Sequence, residues 1–99
     1  MQTSYRVPVY RVELVRERNL TVESKKLTSS EVAASFFRTM LDGADREHFV
    51  IAMLNQAGVV IGGNPVSMGS LTASVVHPRE VFIAAIQSKA AGIICCHNH

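Results

Sequence analysis

From Tyr5 to Leu14 the chain is rich in β-branched and aromatic residues, which favour an extended, pleated conformation. Pro8 places that strand at a sheet edge, where a missing N–H is tolerated. Ser29 or Ser30 then offers a side-chain oxygen as a helix cap, ahead of a segment in which Val32, Phe36 and Met40 share a stripe with Ala33, Phe37 and Leu41. That spacing follows the turn of an α-helix, so the stripe is expected to face a core. Asp42-Gly43 ends the helix. His48 to Leu54 reads as a buried strand, which turns through Asn55-Gln56-Ala57-Gly58 into a second strand beginning with Val59 to Ile61.

Gly62, Gly63, Pro65 and Gly69 interrupt the pattern, so the stretch to Ser70 is expected to be a loop or an irregular strand. In Val76-His77-Pro78-Arg79-Glu80 the punctuation is that of a helix start. Pro78 suits the first helical position, where its missing N–H costs nothing, and Glu80 falls in the first turn, where the helix dipole favours an anion. The helix is expected to run to about Ala90. Gly92 restarts the chain into Ile93-Ile94-Cys95-Cys96, a short apolar run of the kind found in a central strand buried on both faces. The order predicts an α/β fold, a mixed sheet flanked by helices.

Composition adds bounds. The 99 residues, 47% apolar and 18% charged, suit a single domain spanning 1–99 with enough material for one core. The longest apolar runs are far short of a membrane span, and Met1-Gln2-Thr3-Ser4 lacks the order of a signal peptide. A cytoplasmic location is expected, without a membrane partner. Cys95 and Cys96 adjoin in sequence, a poor arrangement for a mutual disulfide, and are expected to be reduced and buried. Net charge is +2, concentrated early. Residues 1–28 form a mildly basic strand and connection, with Arg6, Arg11, Arg16, Arg18, Lys25 and Lys26 set against Glu13, Glu17 and Glu23. This is thinner than a nucleic-acid surface, and a solvated strand face is expected.

The chemistry gathers at His97-Asn98-His99. Residues two apart on an extended strand point to one side, so both imidazoles can address one metal ion. With Arg46-Glu47-His48-Phe49 and the segment from Ala73 to Phe82, this triplet resembles the RadC-type branch of the JAB/MPN metalloprotease-like domains, over roughly Glu31 to His99. The resemblance implies a cytidine-deaminase-like α/β fold. It implies zinc as cofactor, His97 and His99 as metal ligands and Glu47 as general base. The implied activity is that of a peptidase or isopeptidase acting on a peptide or protein, with metal-activated water attacking an amide carbonyl. The family pattern continues with a Ser and an Asp that have no counterpart within residues 1–99. The domain is therefore expected to be C-terminally incomplete, with zinc weak or absent and catalysis lost in this chain, and to cover its open sheet surface with a second copy.

Two other classes stay open. One is a non-catalytic scaffold of the same fold, as when motif residues are missing. The other is a DNA-associated protein, since the family name is attached to DNA repair, although no helix-hairpin-helix signal is present. HNH nucleases scatter their named residues over a ββα unit, and zinc nucleobase deaminases need an H-x-E and a P-C-x-x-C that do not occur here. Gly62-Gly63 lacks the lysine of a phosphate-binding loop. His48 is expected on the strand face opposite Glu47, without a role, and His77 to serve its turn. Glu80, already explained by its helix cap, competes with Glu47 as the acid. Arg79 faces either a cleft or Glu80 in an ion pair, and either cysteine is expected to pack rather than bind metal.

Overall fold

An uninterrupted apolar strand needs apolar cover on both faces, and Phe49–Leu54 receives it. The computed structural model describes residues 3–44, 46–66 and 76–98. In chain order the elements are α1 (Ser30–Met40), β1 (Phe49–Leu54), β2 (Val60–Val66), α2 (Pro78–Gln87) and β3 (Gly92–His97). Ile51 and Met53 of β1 pack with Val66 and with Val81, Ala84 and Ala85 of α2. Val50 and Ala52 turn the other way, onto Phe36, Phe37 and Met40 of α1. The two helices thus cover opposite faces, and each fully buried aliphatic side chain contributes about 1.5–3 kcal/mol.

The expected α/β architecture is present. The strand order is β2-β1-β3, antiparallel at both contacts. β2 and β3 run in the same direction, as a helical crossover through α2 requires. Because β1 lies between them, every hydrogen-bonded pair among the described strands is antiparallel. β1, not β3, is therefore the central strand of the described sheet. The run Ile93-Ile94-Cys95-Cys96 lies at one side of the described sheet and is only partly covered, with Cys95 exposed. The expectation of two buried thiols is corrected accordingly. Both cysteines are free.

Local chemistry explains the boundaries. Ser29 caps α1, its hydroxyl accepting from the Val32 N–H at 3.2 Å. At the other end Arg18 donates from Nη2 to the Met40 carbonyl at 3.1 Å, a cation at the negative end of the helix dipole. Asn55 builds the hairpin turn by accepting, through Oδ1, from the N–H groups of Ala57 and Val59, both at 3.0 Å. Gly58 supplies the turn's positive φ of 78°.

Three boundaries differ from expectation. Residues Tyr5 to Leu14 form no strand, and Tyr5, Val7, Tyr10 and Val12 are exposed, with Val9 at 95%. Strand propensity needs a hydrogen-bonding neighbour to become a strand, and the first sheet contact of this arm is the bridge of Lys26 to Val59. β2 continues to Val66 through the glycines and Pro65. A Cβ on Gly63 would lie 3.1 Å from Met40 Sδ, and one on Gly62 3.0 Å from Met53 Cε. Those glycines admit methionine side chains rather than ending the strand. Pro65 is tolerated because β2 is an outer strand of the described sheet. α2 ends at Gln87, short of Ala90, because Lys89 takes a φ of 59°. The Lys89 and Ala90 N–H groups turn back to the Ile86 and Ala85 carbonyls at 3.1 and 3.0 Å, a Schellman ending. The expected loop beyond Val66, the motif residues Ala73 to Val75, and His99 lie outside the described residues.

Candidate metal centre

The antiparallel pairing of β1 with β3 brings the start of one strand beside the end of the other, with Phe49 opposite His97. Glu47 enters β1 two residues before Phe49, and His97 is the last residue of β3. Glu47 Oε2 consequently lies 3.5 Å from His97 Nε2. The two side chains are 46% and 25% exposed, and Nε2 itself is shielded from solvent. Phe49 belongs to the β1 face that packs on α2, and its ring lies 6.2 Å from that of His97, tilted by 36°. The imidazole therefore has an apolar neighbour on one side and a carboxylate at its Nε2.

Asn98 adds a polar clasp that sequence reasoning missed. Its Oδ1 accepts from the His48 N–H, its Nδ2 donates to the Arg46 carbonyl at 3.3 Å, and its own N–H donates to the His48 carbonyl at 3.3 Å. These bonds grip the chain on both sides of Glu47. Asparagine between two histidines reads as a spacer in sequence, and the only signal of its role is the register that sets position 98 beside position 48.

The other candidates fall elsewhere. His48 is half-buried and held through its backbone by Asn98. His77 is exposed and stands at the N-cap of α2 without a side-chain capping bond, its carbonyl accepting from Glu80 and Val81 at 2.9 and 3.2 Å. Arg79 and Glu80 form a surface pair at 3.9 Å, with Glu80 in the first turn of α2. Cys96 packs toward the α1 core. Cys95 alternates to the side of His97, and partial desolvation pushes its thiol above the ordinary value. A groove of about 570 Å³ runs between the arm and β2, lined by residues including Arg18, Phe36, Met40 and Gly63, and none of the site residues borders it.

Imidazole nitrogen beside a carboxylate is a donor chemistry that suits zinc. Among the described residues no group of three His, Cys, Asp or Glu could hold an ion. The described residues fit part of a coordination site, and His99 lies outside them.

Helices on both faces of a sheet, with an imidazole and a carboxylate meeting at the end of its paired strands, make this an α/β domain with a polar site at one end of the sheet. The family model for the RadC-like JAB domain matches residues 27–99, and the chain belongs to that family. It is 47% identical over 77 residues to a UPF0758 protein of Clostridium acetobutylicum, covering 78% of this chain and 34% of that protein. A UPF0758 protein of Shouchella clausii is 42% identical over 90 residues, covering 89% and 39% of the two chains. One from Methanospirillum hungatei is 52% identical over 61 residues, covering 62% and 27%. The chain spans about a third of the length of these relatives. Among the described residues no helix is long and apolar enough to cross a membrane.

Proposed function

We propose that this chain carries the general base and the histidine ligands of a zinc-dependent hydrolase that cleaves an amide bond in a peptide or protein. The observation that supports this reading is the approach of Glu47 Oε2 to His97 Nε2 at 3.5 Å. Family membership gives the pair its context. His97 and His99 would hold the ion, and the further ligand of the family pattern, an Asp, has no counterpart within residues 1–99. When bound, zinc would supply Lewis acidity toward water and toward the amide carbonyl.

The remaining work belongs to Glu47. Half-exposed at the entrance of β1, its carboxylate can reach both solvent and the His97 ring. It takes a proton from the attacking water at Oε2 and returns it to the departing amine nitrogen, as one group acting first as base and then as acid. Phe49 and the backbone contacts of Asn98 hold the surroundings in place while the proton moves.

The test compares this chain with a longer one carrying the Ser and Asp of the family pattern. Zinc titration by calorimetry is expected to show tight binding only in the longer form, and peptide hydrolysis is expected there and lost in Glu47→Gln. Removing a general base of this kind costs on the order of 10²–10⁴ in rate. Tight zinc binding with unchanged hydrolysis in Glu47→Gln rejects the assignment of Glu47. Tight binding with no hydrolysis by either form favours a scaffold.

A further inference from the structure

We propose that Asn98 is the positioning residue for Glu47, a role that rests on the hydrolase reading above. Glu47 lies just before β1, outside any helix or strand, and its side chain is half-exposed beside His97. Asn98 holds the backbone on both sides of it. One planar amide accepts from the His48 N–H and donates to the Arg46 carbonyl, and the Asn98 backbone donates to the His48 carbonyl. The peptide groups on either side of Glu47 are thereby tied to the residue that follows His97. The backbone that carries the base is thus fastened to the end of the strand that carries the imidazole.

The residue type follows from the bonding. A carboxamide has both an acceptor and a donor in one plane, whereas a carboxylate only accepts and a hydroxyl is too short to span both partners. Asn98→Asp retains the acceptor for His48 and removes the donor to Arg46. Asn98→Leu removes both at similar volume. The clasp acts on orientation, so it is expected to affect turnover through Glu47 and not substrate binding.

Hydrogen exchange and kinetics test this together, with exchange measured in this chain and turnover in the longer form described above. In Asn98→Leu the His48 amide is expected to exchange at least tenfold faster, while the amides of β1 from Val50 to Met53 keep their protection. Turnover is expected to fall at least tenfold with KM unchanged, and Asn98→Leu added to Glu47→Gln is expected to cause no further loss. Asn98→Asp, the near-isosteric variant, is expected to lie between wild type and Asn98→Leu in both readouts. Unchanged exchange at His48, or a loss of turnover that adds in full to that of Glu47→Gln, overturns the role. If the wild type hydrolyses no peptide the hydrolase reading fails, and the clasp is still decided by exchange at His48.

Discussion

Phe49 and His97 face each other across the β1–β3 ladder, and their rings meet at 6.2 Å. An aromatic contact of this kind contributes about 0.5–1.5 kcal/mol beyond the area it buries. It also restricts the ring at the end of the sheet. Phe49→Leu retains apolar bulk and removes the ring contact. Its expected cost is about 1 kcal/mol, read from urea denaturation, together with a displaced His97 ring-proton resonance. Unchanged stability and an unmoved resonance would show that the two rings are merely adjacent.

The centre of the sheet should respond more strongly. Ile51 is 0% exposed and lies among the side chains that join β1 to α2. Ile51→Ala removes that filling and leaves a cavity, at an expected cost of about 2–5 kcal/mol. Ile61 on β2 is 46% exposed, and Ile61→Ala is expected to stay within about 0.5 kcal/mol of wild type. Denaturant midpoints of the two variants check the contrast. Equal losses would mean that the helical layer over Ile51 is not closely packed.

These elements differ in how openly the sequence announces them. α1 was legible because Ser29 caps it and its apolar stripe repeats at helical spacing, and β1 because a short uninterrupted apolar run ahead of turn residues reads as a buried strand. Ile93 to Cys96 has the same apolar look as β1, yet an apolar run does not state how many strands lie beside it. Gly62, Gly63 and Pro65 resembled chain breakers because sequence shows a missing side chain or N–H without showing the methionine that fills the space or the outer place in the described sheet that tolerates the proline. Tyr5 to Leu14 carries strand propensity and lacks a described partner. At the candidate site, His97 stood out through its spacing from His99, and Glu47 through motif resemblance. Asn98 was not, since its bonds to Arg46 and His48 arise from register alone.

The end of α2 offers a change expected to stabilise. Lys89 holds a φ of 59°, in the left-handed region where a side chain costs roughly 1–2 kcal/mol. Glycine is the usual residue at this position of a Schellman ending. Lys89→Gly relieves the backbone and surrenders part of the gain to the greater freedom of glycine in the unfolded chain, so a net increase of roughly 0.5–1 kcal/mol is expected. Thermal and urea unfolding should both shift upward. A decrease would mean that the lysine side chain contributes more than its backbone strain costs.

Glu31 gives the fold an acid-side dependence whose sign is fixed by its surroundings. Its own backbone N–H and the Ser29 hydroxyl, with a smaller contribution from Ser30, favour the carboxylate and hold its pKa below 4.5, against a weaker opposing effect of desolvation. A carboxyl group with a depressed folded value binds its proton more readily in the unfolded chain. Its contribution to stability is therefore fully present above the unfolded value of 4.5 and disappears as pH falls through the lower folded value. Glu31→Gln removes the charge at the start of α1 while leaving the Ser29 cap. Wild type is expected to exceed the variant in stability by a constant margin at neutral pH, and the margin should shrink below pH 4.5. Thermal unfolding of both proteins across that range measures it directly. A margin that stays constant through the acid range, or widens there, would place the pH sensitivity of the helix start in some group other than Glu31.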